Sequence, residues 1–396
     1  MAVTPSPEKA LWSSCAAIFW PGSMAFGFPG IMAQHWQIVF GVDRAAVGQI
    51  LFFLLLGVGS SMYLAGRWQE RLGPTRLVLL GTLISSTVSL ALPLAPSIGA
   101  VHAWAFITGA SHSCLYLPAL SVVQRWFPTR RGLVAGLVSM VFGLAAAATA
   151  PLYSWVLGEA GPTALCLVAG LAALVTGLIA APFMSFPAPR PALAGTGHGA
   201  PGLSLRVGQA LRTRSFWALW CTWALAGAAG IAMVTLSVGF GLGRGLNLRQ
   251  AVMILTAFNL TNGLSRLLSG WLSDLVGRNL TMAGAFVLAG TAYLLLPHAQ
   301  GLYQWAALAA LVGFAFGTLF AVSAPLATDC FGLEHFGAIF GVVFTAYGFL
   351  SGALGPWLGG HLLDATGGDF ALVFGYLGLF FMASAGLIFL VRPPKI

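Results

Sequence analysis

Gly66-Arg-Trp-Gln-Glu70-Arg71-Leu-Gly73-Pro-Thr-Arg76 separates two long apolar runs, and Gly270-Trp-Leu-Ser-Asp274-Leu-Val-Gly277-Arg278 separates two more. Glycine, acid and glycine recur at the same internal spacing, and the two copies stand at one constant offset. A short polar connection repeated between apolar runs predicts a chain built of two related helical halves. Of the 396 residues, 58% are hydrophobic and 7% are charged, against roughly 25% charged in ordinary soluble domains. So little charge cannot cover a water-facing surface, which excludes a soluble enzyme. The apolar content also excludes a disordered chain. The continuity of the runs excludes an outer-membrane barrel, whose strands alternate in character.

The apolar runs, bounded by charge, Pro or Gly, fall at 11–34, 46–66, 77–95, 98–122, 133–157, 164–186, 216–240, 250–273, 280–296, 304–326, 338–363 and 370–391. A helix needs about 20 apolar residues to cross a bilayer, so twelve transmembrane helices are predicted. The gap at 187–215 is rich in Pro and Gly and ends in Arg206, Arg212 and Arg214. It predicts a linker, dividing the chain into a six-helix bundle at 1–186, a cytoplasmic linker at 187–215 and a second bundle at 216–396. Fourteen Lys and Arg residues fall on the linker side and three (Arg44, Arg244 and Arg249) on the other. That bias predicts both termini in the cytoplasm. The net charge of +9 is scattered singly over loops, so no nucleic-acid partner is expected. The five cysteines are odd in number and widely spaced. They read as packing thiols, with neither disulfide nor metal site. The first run passes Pro21 and Pro29 without a small-residue cleavage site and reads as a span, not a removed signal. Gly239-x-Gly241-x-Gly243-x-Gly245 follows a span and no strand, so it is a loop and no cofactor is expected.

A second echo pairs Phe127, Gly132 and Gly136 with Phe331, Gly337 and Gly341. Glycines four apart allow close helix approach inside a membrane. With these motifs in place the sequence resembles the major facilitator superfamily over nearly its whole length. The resemblance implies an all-α integral membrane fold of two pseudo-symmetric six-helix bundles. It also implies a conformational latch at Gly66, Glu70, Arg71, Gly73 and Arg76 and at Gly270, Asp274, Gly277 and Arg278. Glu70 replaces the usual Asp. Finer features resemble the monocarboxylate transporters and bacterial relatives such as oxalate–formate exchangers: Arg125-Trp-Phe-Pro-Thr-Arg130-Arg131-Gly, Asp329-Cys-Phe-Gly-Leu-Glu-His-Phe-Gly337, Gly355-Pro356 with Gly360-His-Leu-Leu-Asp364, and Asn262-x-x-x-Arg266-x-x-x-Gly270. That likeness implies a bacterial inner membrane.

Arg266 lies in the middle of the eighth run. A guanidinium there costs about 2.5–3.5 kcal/mol on insertion scales and cannot shed its charge. A structural alternative pairs it with Asp274 or with a backbone carbonyl. The functional reading makes it an anion-binding centre, since its planar fork suits a carboxylate and the resemblance places a substrate-binding arginine here. Asn262, one turn earlier on the same face, is a further donor. Tyr116 is a candidate substrate donor, and Phe142, Phe316, Phe320, Phe344 and Tyr347 are candidate cavity-lining aromatics, with core packing the alternative for each. His112, Asp364 and His361 are candidates for proton coupling, with a structural buried histidine the alternative for His112.

The membrane-embedded parts of the first, seventh, tenth and eleventh runs contain no Lys, Asp or Glu. Two carboxylates facing one Arg would leave a charge unpaired at low dielectric, so a monoanion is expected. The expected function is therefore a secondary transporter of a small monocarboxylate resembling lactate or pyruvate, coupled to a proton and working by alternating access. Its expected partners are the anion, the proton and the lipid bilayer, and a monomer is expected. Rival readings are a carboxylate exchanger of the oxalate–formate type, a drug–proton antiporter and a non-transporting sensor on the same fold. An intramembrane enzyme lacks a catalytic grouping on any one helix.

Overall fold

The computed structural model describes residues 6–187 and 204–394. Most of the expected linker, from Pro189 to Gly202, lies outside them. Among the described residues the regular structure is helical throughout. Ser6 caps α1 (Pro7–Phe26), which breaks at Gly27 before Pro29 and continues as α2 (Phe28–Phe40). Asp43 caps α3 (Arg44–Ala91), and α4 (Ile98–Trp126) and α5 (Arg131–Ala180) follow. After α6 (Val207–Ala210) come α7 (Arg214–Gly243), α8 (Leu248–Val276), α9 (Arg278–Leu295) and α10 (Leu302–Phe331). Next is α11 (Phe336–Thr345), then π-helical turns at Ala346–Ser351 and Ala353–Trp357, α12 (Leu358–Thr366) and α13 (Phe370–Leu387).

Nine helical stretches among the described residues are long and apolar enough to cross a membrane. Two of them hold a pair of spans each. A straight helix of the 48 residues of α3 would measure about 72 Å, over twice the hydrocarbon thickness. The chain breaks instead at Gly73 (φ 78°, ψ 163°) before Pro74 and, within α5, at Gly161 (φ 81°, ψ 179°) before Pro162. Gly277 (φ 96°) ends α8 in the same way as Gly73. A side chain would be strained at these positive φ values, which accounts for the second glycine of each repeated motif. With α9 these make the twelve spans that the sequence predicts. Leu83, Leu171, Leu268 and Leu379 are exposed on helices that the bilayer surrounds, as apolar solvent permits.

The chain divides into two compact units: Met1–Pro128, Val141–Thr196 and His335–Gly348, and Thr129–Met140, Gly197–Glu334 and Phe349–Ile396. In the first unit, α11 and the π-helical turn after it pack on α3, with Gly337 against Gly66, Gly341 against Met62 and Gly348 against Gly59. In the second, the start of α5 packs on α8. A Cβ on Gly132 would strike the Gly270 carbonyl, and one on Gly136 would strike the carbonyl of Arg266. The glycine echo is thus one packing solution made twice, with van der Waals contact between backbones replacing the hydrophobic force that lipid abolishes.

Candidate functional site

Within the second unit, Arg266 is 1% exposed. Its Nη1 donates to the Ser139 carbonyl and to Ser139 Oγ, both at 3.1 Å. Nε donates to the Asn262 carbonyl at 3.3 Å, and Nη2 to Asn262 Oδ1 at 3.2 Å. Its guanidinium carbon sits 4.6 Å from the centroid of the Phe320 ring, within the range of a cation–π contact. Close packing produces this arrangement. Gly136 admits the Arg266 carbonyl, which brings Ser139, one turn further along α5, level with the guanidinium. Gly317 likewise seats α10 against the Asn262 carbonyl, and Phe320 lies one turn beyond. Edge-to-face contacts with Phe316 (5.2 Å) and Trp223 (5.0 Å) fix the Phe320 ring, while Phe316 packs against Phe258 and covers Gly230.

The structure therefore gathers Arg266, Asn262, Phe316 and Phe320, adding Ser139 and Trp223, which the sequence reading did not single out. Of the structural partners named for Arg266, a backbone carbonyl is present and Asp274 is engaged elsewhere. Asn262 holds the arginine through its Oδ1. Each of these four hydrogen bonds ends on a neutral oxygen, and together they fix the guanidinium plane.

The first unit holds a second aromatic group. Tyr116 meets Phe142 at 5.6 Å and Phe344 at 5.7 Å, and Phe344 meets Tyr347 at 5.6 Å. Tyr347 lies in the π-helical turn that follows α11. Of the residues expected to carry a proton, His112 belongs to the first unit and His361 and Asp364 to the second. His112 is buried, with Nε2 3.4 Å from Ser85 Oγ on α3. His361 stacks on Trp357, and both His361 and Asp364 are exposed on α12.

The expected latch divides in two. Asp274 accepts from the amides of Gly132 (3.0 Å) and Leu133 (2.8 Å) and from Arg278 Nη1 (2.5 Å). Arg278 also reaches Ser273 and Asp329, and Asp329 pairs with Arg131 at 3.1 Å. The charged side chains are only 13–16% exposed. The amides of a first helical turn have no partner inside the helix, and a carboxylate there is also favoured by the positive end of the helix dipole. Arg131 and Asp329, which stand in the sequence as motif residues with no visible partner, complete this network. In the first copy, Glu70 meets His335 Nδ1 at 3.1 Å, and both side chains are about a quarter exposed. Gly66 packs on Gly337, Gly73 makes the turn, and Arg71 and Arg76 are exposed.

A family model described as Major Facilitator Superfamily matches residues 13–255 and 244–396. Among curated proteins, the chain is similar to the oxalate:formate antiporter of Oxalobacter formigenes, 27% identical over 77% of this chain and 73% of that one. It is similar also to monocarboxylate transporter 13 of Bos taurus, 26% identical over 95% of this chain and 88% of the relative. Among solved structures, the Escherichia coli fucose:proton symporter superposes with a TM-score of 0.72 at 17% identity, over 96% of this chain and 98% of that one. A human organic anion transporter gives 0.73 at 15% identity, over 97% and 100%.

Proposed function

The chain belongs to the Major Facilitator Superfamily, and from that premise we propose that it carries a small monocarboxylate across the membrane by alternating access, together with a proton. The observation that carries this reading is Arg266, a buried guanidinium in mid-span whose plane is held by Ser139 and Asn262 and backed by Phe320. A carboxylate suits this cation and takes its hydrogen bonds in exchange for those the guanidinium gives Ser139 and Asn262, and the surrounding aromatic rings suit a short hydrocarbon tail. The relatives named as an oxalate:formate antiporter and a monocarboxylate transporter support the carboxylate class. The reading places both chain ends in the cytoplasm and the protein in a bacterial inner membrane.

Uptake of radiolabelled L-lactate into proteoliposomes tests it, with an inward proton gradient and again with an uncoupler. Gradient-dependent accumulation is expected. Arg266→Lys, which keeps the charge but loses the fork, is expected to raise KM by about tenfold, the weight of one charge-assisted hydrogen bond. Unchanged KM in that variant would sink the anchoring role. The antiporter relative favours exchange as a second reading. In that case uptake would require preloaded carboxylate and ignore the uncoupler.

A further inference from the structure

Two surface grooves occupy equivalent places in the two units. One, of about 480 Å³, lies between the start of α1 and the end of α5. The other, of about 380 Å³, lies between the start of α7 and the end of α13. Lys9, Trp12, Ser13 and Ala16 in the first and Arg214, Trp217, Ala218 and Cys221 in the second fall at one constant offset. The internal repeat thus reproduces a cation, an indole one turn on, and a slot of small side chains beyond it. Both indoles are exposed, Trp12 at 65% and Trp217 at 49%, as suits tryptophan at a membrane interface. Trp217 is held upright by its Nε1 bond to the Leu211 carbonyl at 2.9 Å.

Charge separates the grooves. The first has Glu8 beside Lys9 and is neutral as a pair; the second has Arg212 and Arg214, both exposed. Among the described residues neither of these arginines forms an ion pair. Two such cations at the head of an apolar slot, one in the turn before α7 and one at its first residue, match the chemistry of a phospholipid with net negative charge.

We propose that the groove between α7 and α13 binds an anionic phospholipid from the leaflet on the linker side. Arg212 and Arg214 hold its phosphate, and Trp217, Cys221 and Leu390 flank one acyl chain. The α1–α5 groove has the same slot without the net charge and does not select among headgroups.

Native mass spectrometry of the full chain, with phosphatidylglycerol and phosphatidylcholine of matched acyl chains, tests the selectivity. Each cation near an anionic surface adds about a fivefold preference. Phosphatidylglycerol is therefore expected to be retained at least about tenfold better, a preference lost in Arg212→Gln/Arg214→Gln and kept in Lys9→Gln. Equal retention of the two lipids, or a preference that survives the double substitution, overturns the proposal. A second measurement needs no variant. Cys221 is partly accessible while the other four cysteines are buried, so its labelling by a maleimide in nanodiscs reports on the slot. Slower labelling when phosphatidylglycerol replaces phosphatidylcholine is expected, and equal rates would place any bound lipid elsewhere.

Discussion

Replacing Asp274 with Asn isolates what the carboxylate does for α5. Asp274 accepts from the amides of Gly132 and Leu133, first-turn groups that have no partner within the helix. A hydrogen bond to a charged acceptor contributes about 1.5–3 kcal/mol and one to a neutral acceptor about 0.5–1.5 kcal/mol. Asparagine keeps one oxygen, so one amide retains a neutral bond and the other loses its acceptor. The difference is about 2.5–4.5 kcal/mol across the pair. Hydrogen exchange reads such local opening directly. In Asp274→Asn the amides of Gly132 and Leu133 are expected to exchange about tenfold faster or more, with α13 unchanged as an internal reference. Arg131 remains paired with Asp329 and Gly132 remains packed on Gly270, so the helix itself should persist. Unchanged exchange at both amides would refute the claim that Asp274 caps α5.

Three further outcomes follow from the same geometry. Gly132→Ala sets a Cβ against the Gly270 carbonyl and the Arg278 side chain and should destabilise by about 1–3 kcal/mol. Gly158→Ala, which meets open space, should leave the melting temperature unchanged or higher, and a thermal-shift comparison of the two checks the pair. Ser139→Ala removes one of the two acceptors of Arg266 Nη1 and keeps the carbonyl. It should raise the KM for the transported anion by about threefold to tenfold with little change in melting temperature. Asp329→Asn loosens both Arg131 and Arg278 and should abolish most transport. Glu70→Gln touches an exposed pair of less than about 1 kcal/mol and should alter the transport rate by less than about twofold. Equal losses in the two variants would contradict the ranking by burial.

The repeated motif was legible because its demands are local. A positive φ at Gly73 and Gly277 and an acid at a helix end are properties of a few consecutive residues. Arg266 was legible because a charge in mid-span is costly wherever it points. Ser139 was not. Its hydroxyl meets Arg266 only because Gly136 brings α5 against α8, and serine in an apolar run carries no mark of such a partner. The separation of His112 from Tyr116 was equally hidden. Four residues advance a helix by roughly 400°, so the two directions differ by about 40°, enough for one side chain to meet Ser85 and the other Phe142 and Phe344. Arg131 and Asp329 were in view as letters, but their pairing needs residues nearly two hundred positions apart to meet.

The packing of α3 against α11 has a consequence for the order in which the protein is made. Gly59, Met62 and Gly66 are synthesised long before the Gly348, Gly341 and Gly337 that cover them. At about 5–20 residues per second, the chain between positions 66 and 337 takes roughly 15–55 s to emerge. Throughout that interval the glycine-lined stripe of α3 faces lipid or whatever attends the nascent chain. The first unit is thus finished only after the chain has been made through Gly348. A truncation before residue 335 would leave an inserted yet uncapped half, a natural target for membrane quality control.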